Sequence, residues 1–245
     1  MSNNEIWYKS WFNSKYYDIL YKNRDIEEAE GFIKLLVKEL KLKKNSSLLD
    51  LACGKGRHSI YLNKLGFKVT GVDLSSQNIE YAKKFSNERL SFFKHDMRIA
   101  INQKFDAILN LFTSFGYFED SNDDHKVIES LRKSLNLHGI GVIDFMNSKK
   151  VIKNLVKENT VNFNRVKFII KRSYDGKFIK KRILINDLGK KHEYFEKVRA
   201  YEYLDFKNIL NSSNLCITKC YGDYNMTPFC EETSSRLILL FKLKA

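Results

Sequence analysis

Proline occurs once in the 245 residues, at Pro228, so any motif that needs a proline earlier in the chain is excluded. Long apolar runs are also missing. No stretch approaches the about 18 consecutive apolar residues of a membrane-spanning helix, and no apolar h-region follows the initiating Met. These absences lead us to expect a soluble, cytoplasmic protein with no membrane partner. Cysteine is sparse: Cys53, Cys216, Cys220 and Cys230 lack paired C-x-x-C spacing, which favours free thiols in a reducing compartment over a zinc site. We therefore expect no metal.

What is present is a chain 43% hydrophobic, long enough to bury one main core with an insertion. Its formal net charge of +14 raises nucleic acid as a partner. The lysines are spread along the chain, however, with only short clusters at Lys41 to Lys44 and Lys180 to Arg182. Nucleic-acid binding is therefore not the expectation.

The stretch from Leu48 to Leu74 organises the rest. An apolar run, Ser47 to Ala52, breaks at Cys53-Gly54-Lys55-Gly56; a helical stretch follows to Leu65, and Gly66 stops it. A second apolar run, Val69 to Val72, ends in Asp73. Glycines at 54 and 56 permit a sharp turn and close approach of a ligand, and the next helix offers unpaired N–H groups. Asp73 is placed to accept from a ribose diol. A dinucleotide site wants a third glycine, where this chain has Ser59, and Asp50 before the turn is unwelcome beside a pyrophosphate. A cationic nucleoside cofactor without phosphate fits better.

At these residues the chain resembles the class I S-adenosylmethionine (SAM) dependent methyltransferases, whose first motif reads much like Leu49 to Gly56. The resemblance implies an α/β fold, a doubly wound Rossmann-like sheet of seven strands with the last antiparallel. It implies SAM as cofactor, with S-adenosylhomocysteine as product. Cofactor contacts are expected from Asp50, Ala52, Gly54 and Gly56, from Asp73 and Leu74, and from Asn110 and Phe112. In the family an acid after the third strand meets the adenine amino group and the next backbone N–H meets the ring; Asp96 and Met97 match.

The first 24 residues carry seven aromatics at helical spacings, among them Trp7 and Trp11, Tyr8 and Phe12, and Tyr17 and Tyr21. They either pack this segment on the body or lie over the cofactor. In related small-molecule enzymes a Tyr and an Arg near the end of such a segment reach the methionine carboxylate, and Tyr17 and Arg24 match best. Asp25 with Glu28 reads as a capping box for a helix to about Leu40.

Further on, helices are expected from Ser75 to about Phe85 and along Val127 to Leu135 with Gly139 closing the second. Strands are expected at Leu90 to Lys94, Phe105 to Leu111 and Gly141 to Phe145. The fourth strand runs into an aromatic loop, Phe112 to Phe118, where related enzymes meet their acceptors. Methylases of exocyclic base amines carry N/D-P-P-Y there, and this chain has no proline to supply it. From Asn162 to Tyr201 the pattern turns to strand alternation, read as a three-stranded antiparallel meander inserted after the fifth strand. We expect a methyltransferase core at 1–149 and 202–245 and an inserted β cap at 150–201, either a substrate cap whose apolar face, Phe168, Ile170, Tyr194 and Val198, closes on the acceptor, or a dimer-forming ribbon. Asp205 is expected to cap a last short helix.

Methyl transfer from a sulfonium needs alignment and exclusion of water, and a base only if the acceptor arrives protonated. His58 and Tyr117 are the candidate catalytic groups. The expected activity is methyl transfer to a small-molecule acceptor by a monomer or homodimer. An RNA or protein methyltransferase and a non-catalytic SAM- or nucleotide-binding protein are the alternatives.

Overall fold

The computed structural model describes residues 7–22 and 26–244, the side chains of residues 26–28 excepted. The chain divides into two compact units, Met1–Arg24 with Val151–Ala200 and Asp25–Lys150 with Tyr201–Ala245. This differs from the expected division, which placed the N-terminal segment with the core. The proposed capping box of Asp25 and Glu28 lies outside the described side chains.

The smaller unit holds two short helices, α1 (Trp7–Phe12) and α2 (Lys15–Leu20). The larger unit opens with helix α3 (Ile26–Leu40), whose stripe at helical period, Ala29, Ile33, Leu36 and Leu40, is buried. Strand β1 (Ser47–Leu51) follows, then α4 (Arg57–Lys64), β2 (Lys68–Asp73), α5 (Ser76–Lys83), β3 (Leu90–Lys94), β4 (Phe105–Asn110), α6 (Ser121–Ser134) and β5 (Leu135–Met146). Four consecutive residues of β1 are buried, the mark of a strand covered on both faces. Ser75 caps α5 by accepting from the Asn78 N–H, and Asp120 caps α6 by accepting from Asn122.

Strand β5 begins at Leu135, six residues before the expected start, and Gly139 lies within it rather than closing α6. The reason is packing: Leu135 is buried and pairs with Phe105, and a Cβ at Gly139 would meet the Phe105 carbonyl oxygen at 2.9 Å.

After β5 come α7 (Ser148–Lys153) and four strands of the smaller unit: β6 (Glu158–Phe163), β7 (Val166–Tyr174), β8 (Phe178–Asp187) and β9 (Lys190–Arg199). They form a four-stranded antiparallel meander where three strands were expected. The two anticipated turns are present, with Gly176 and Gly189 at positive φ; the turn missed is at Asn164, also at positive φ. One face of this sheet is already covered from within its own unit. Trp11 and Tyr16 of α1 and α2 join Phe168, Ile170, Ile183 and Ile185 in one buried cluster. Trp11 Nε1 and the Tyr21 hydroxyl both donate to Glu196 Oε1, at 2.7 and 2.6 Å, and Lys181 Nζ pairs with Glu196 Oε2 at 2.6 Å. Phe168, Ile170 and Tyr194 of the apolar face expected to close on an acceptor therefore pack with the N-terminal aromatics instead.

The chain returns to the larger unit with α8 (Tyr203–Ser212), β10 (Leu215–Tyr221) and β11 (Arg236–Leu243). Glu202 rather than Asp205 stands at the N-cap, and Asp205 accepts from the Glu202 N–H at 2.8 Å. The large sheet runs β10-β11-β5-β4-β1-β2-β3, with β1 to β5 parallel and β11 antiparallel to both neighbours. The strand order reverses between β1 and β4, where a ligand crevice opens at the carboxyl ends of such strands. Because β11 runs the other way, its first residue, Arg236, pairs with Met146 at the end of β5.

Candidate active site

The turn after β1 takes left-handed backbone at Ala52 (φ 64°), Gly54 (φ 56°) and Gly56 (φ 81°). The two glycines are there for different reasons. A Cβ on Gly56 would stand 2.7 Å from the ring of Phe92, so the protein's own packing excludes it. A Cβ on Gly54 would meet nothing within 4 Å, so that position is open to a ligand. Ser59 is buried and its hydroxyl donates to Asp50 Oδ2 at 2.5 Å. The close helix–strand approach that a third glycine would give comes from the strand instead: a Cβ on Gly71 would meet Phe92 at 2.6 Å and Ser59 Oγ at 2.8 Å.

Two acids flank the turn, Asp50 buried and Asp73 half-buried. Asp50 is 2% exposed, and burial pushes its carboxyl up to about 6 against the pull of the Ser59 hydroxyl; the Asp73 charge adds to the rise. Asp73 Oδ2 accepts from the Gly54 N–H at 2.9 Å and Oδ1 from the Ser75 N–H at 2.8 Å. Burial raises it too, and the two N–H groups pull it back. Among the described residues neither acid forms an ion pair. Cys53, in the same turn, is a buried thiol that burial pushes up, so it is no nucleophile.

Asp96 follows β3 and forms a two-pronged pair with Arg98, whose Nη2 lies 2.6 Å from Oδ2 and Nε 3.0 Å from Oδ1. Arg98 also pairs with Asp123 at 2.7 Å. The guanidinium holds Asp96 below its usual range. Leu74 and Met97, beside Asp73 and Asp96, are half-buried.

The end of β4 is tied to β1 by Asn110, which is fully buried; its Nδ2 donates to the Leu51 carbonyl at 3.1 Å and the Ser114 carbonyl at 3.2 Å. Its Oδ1 is buried with no partner among the described residues. Beyond it Phe112 and Thr113 are both left-handed, at φ 57° and 62°. The Phe112 ring stacks on His58, centroids 4.8 Å apart and planes at 16°, and the Arg57 guanidinium lies over the same ring at 5.0 Å. His58 Nε2 is 3.2 Å from Arg57 Nη2. The Tyr117 hydroxyl donates to the Thr113 carbonyl at 2.6 Å.

Asp50, Gly54, Asp73, Asn110, His58 and Phe112 thus lie at or just after the carboxyl ends of β1, β2 and β4. Asp96 is engaged with Arg98 and Asp123. Tyr17 lies in the smaller unit, its ring edge-on to Trp11 and Phe12, and Arg24 is outside the described residues. Sequence reasoning missed Asp144 and Arg236. Asp144 is fully buried at the end of β5; its Oδ2 accepts from the Phe112 N–H at 2.8 Å and its Oδ1 from Arg236 Nε at 2.7 Å. The only signal was one acid inside the apolar run Val142 to Phe145.

A family model described as a methyltransferase domain matches residues 42–208. A ubiquinone biosynthesis O-methyltransferase of Pelagibacter ubique is 31% identical over 191 residues, 73% of this chain and 75% of that protein. A dTDP-3-amino-3,4,6-trideoxy-alpha-D-glucopyranose N,N-dimethyltransferase of Streptomyces venezuelae is 28% identical over 131 residues, 52% of this chain and 54% of that protein. The chain spans about half the length of the first curated relatives it matches. The fold is similar to that of an S-adenosylmethionine-dependent methyltransferase from Clostridium acetobutylicum, with a TM-score of 0.79 at 23% identity over 94% of this chain and 96% of that one.

Proposed function

The chain belongs to the class I SAM-dependent methyltransferases, and from that premise we propose that it transfers a methyl group from SAM to a small-molecule acceptor, leaving S-adenosylhomocysteine. The observation that carries the reading is a pair of acids, Asp50 buried and Asp73 half-buried, that form no ion pair among the described residues, beside the open approach at Gly54. A nucleoside with a ribose diol and a cationic end suits both acids, whereas a pyrophosphate would be repelled. Asn110 Oδ1, buried without a partner among the described residues, is a third acceptor at the same strand ends. The residues present fit SAM.

On this reading Asp73 accepts from the ribose diol, Asp50 and Asn110 favour the cationic end, and Asp96 with Met97 and Leu74 meets the adenine. When bound, SAM supplies an electrophilic methyl carbon on sulfur. The chain's own part is to bind, align and keep water out; alignment alone supplies about 7 to 11 kcal/mol of such a barrier. The Phe112–His58 stack makes an apolar wall at the acceptor loop. His58 is the candidate to take a proton from an acceptor that arrives protonated. The Tyr117 oxygen, its hydrogen committed to Thr113, can only accept.

A relative named for a dTDP-amino-sugar acceptor and one named for ubiquinone biosynthesis support a small acceptor here, as does the lack of a proline for a base-methylase loop. Charge adds its class. The smaller unit holds 18 Lys and Arg against 7 Asp and Glu, a net +11, while the larger holds 25 against 22, a net +3. That segregation favours an anionic acceptor. A polynucleotide is the second reading, on the same charge.

A thermal-shift comparison of SAM, S-adenosylhomocysteine and NAD tests the donor, because a ligand of the native state raises stability by RT ln(1 + [L]/Kd). Stabilisation by the first two and not by NAD is expected; the reverse would overturn the cofactor. Labelled methyl from SAM should then enter a small-molecule cell extract rather than RNA.

A further inference from the structure

We propose that Asp144 and Arg236 form a latch that holds the acceptor loop in its reactive conformation, a positioning role for transfer rather than for donor binding. The inference rests on the methyltransferase reading of the site. Its starting point is backbone strain: Phe112 and Thr113 are consecutive non-glycine residues in left-handed conformation, an arrangement that persists only where the surroundings enforce it.

The surroundings do enforce it, and the bonds converge on Asp144. Its carboxylate accepts from the Phe112 N–H at 2.8 Å, and its backbone carbonyl accepts from the Thr113 N–H at 2.9 Å. Arg236 bridges the rest: Nε donates to Asp144 Oδ1 at 2.7 Å and Nη2 to Thr113 Oγ1 at 3.0 Å. Tyr224 completes the set, its hydroxyl 3.3 Å from Asp144 Oδ2 and its ring 5.3 Å from that of Phe112. What these bonds fix is the direction of the Phe112 ring, and with it the stack on His58.

A purely structural role fits less well. Strands β5 and β11 are already in continuous register from Arg236↔Met146 to Phe241↔Gly141, so the sheet does not need the ion pair. A fully buried carboxylate with a guanidinium 17% exposed is also a poor source of net stability, because desolvation offsets the attraction. Such a pair is retained where it specifies one conformation, and the conformation specified is that of the loop after β4.

The test compares the full chain with Asp144→Asn, Arg236→Lys and the milder Tyr224→Phe, which keeps the ring. Three readouts are taken: SAM affinity by calorimetry, amide exchange of residues 111–117 against 48–51, and transfer of labelled methyl from saturating SAM into a small-molecule cell extract. We expect SAM affinity to hold and loop amides to exchange faster while β1 does not. Transfer should fall about a hundredfold for Asp144→Asn, the cost of a displacement near 1 Å. Tyr224→Phe should move the same way by less. Unchanged loop exchange overturns the latch, and so does a loss of transfer matched by an equal loss of SAM affinity. If the unaltered protein labels nothing in the extract, the small-molecule reading fails instead, and exchange with calorimetry still decides the latch.

Discussion

Gly54 and Gly56 are indistinguishable as letters two positions apart, yet their substitutions should part company. Gly54→Ala carries only a left-handed alanine, a cost of about 1 to 2 kcal/mol, and the fold should survive while SAM binding suffers from the lost approach. Gly56→Ala adds a clash with Phe92 to the same strain, and overpacking brings a further 1 to 3 kcal/mol or so. Chemical denaturation of the two variants should therefore rank Gly56→Ala lower, and equal stabilities would refute the packing argument. Asp50 makes a pH prediction with a definite sign. Its folded pKa, near 6, stands above the usual 3.8. The folded state thus binds the extra proton, and Asp50's contribution to stability falls as pH rises from 3.8 towards 6 and is flat above. A cationic ligand reverses the preference, since it favours the carboxylate that the proton would neutralise; Asp73, Arg57 and the Ser59 hydroxyl are the other groups acting on it. SAM affinity should rise with pH up to about 6 and level off, and Asp50→Asn should flatten that limb. A titration by calorimetry in which the variant keeps the limb assigns it elsewhere. Asp73→Ala should weaken SAM by about 1.5 to 3 kcal/mol, the range for hydrogen bonds to a charged group.

At the scale of elements, α1 and α2 depend on the inserted sheet and the sheet on them. Trp11 is completely buried in that cluster and bonded to Glu196, so Trp11→Ala should loosen the smaller unit by about 3 to 5 kcal/mol. Limited proteolysis should show early cuts between 158 and 199 with SAM binding retained; cuts first in β1 or β2 would contradict the division into units. Most elements of the larger unit were legible because the apolar runs have their own stops, Gly66 after α4 and Ser75 before α5, whereas α6 starts at Ser121 behind an Asp120 cap, ahead of the Val127 to Leu135 stripe that marked it. Strand β6 was not, since Glu158 to Phe163 offers only Val161 and Phe163 as apolar residues and its turn has no glycine. The start of β5 was hidden by two glycines that read as a stop. The turn residues of the site were visible through local spacing. The Asp144–Arg236 pair joins residues 92 apart, a separation across which no local pattern carries information.

At the scale of the whole molecule, charge separates what sequence order blurs. Read along the chain the lysines look dispersed, as a compositional bias would leave them, but bias alone would load both units in proportion to length, and the smaller one carries +11 of the +14. The excess is also placed at a cost. Lys171 stands directly opposite Arg182, and Lys180 opposite Lys197, where like charges destabilise a sheet. Exposed partners relieve them only in part: Glu158 lies 3.3 Å from Lys171 and Asp175 2.6 Å from Lys180, and pairs of this kind contribute little. A positive field of this sort concentrates an anion and speeds its encounter, and salt weakens it within a Debye length of about 10 Å at 0.1 M. If the acceptor is a compact anion, its KM should rise moderately with ionic strength while kcat and SAM affinity stay level. Replacing Lys171, Lys180, Arg182 and Lys197 by Gln should reproduce the high-salt KM at low salt and remove the salt response. A polynucleotide would instead release many counterions at once, with a log–log slope of about −0.7 for every phosphate contact on a single strand, so slopes of several units would favour that second reading. A KM indifferent to salt in the unaltered protein would sink the anionic acceptor in either form and leave the segregated charge without a role in catalysis.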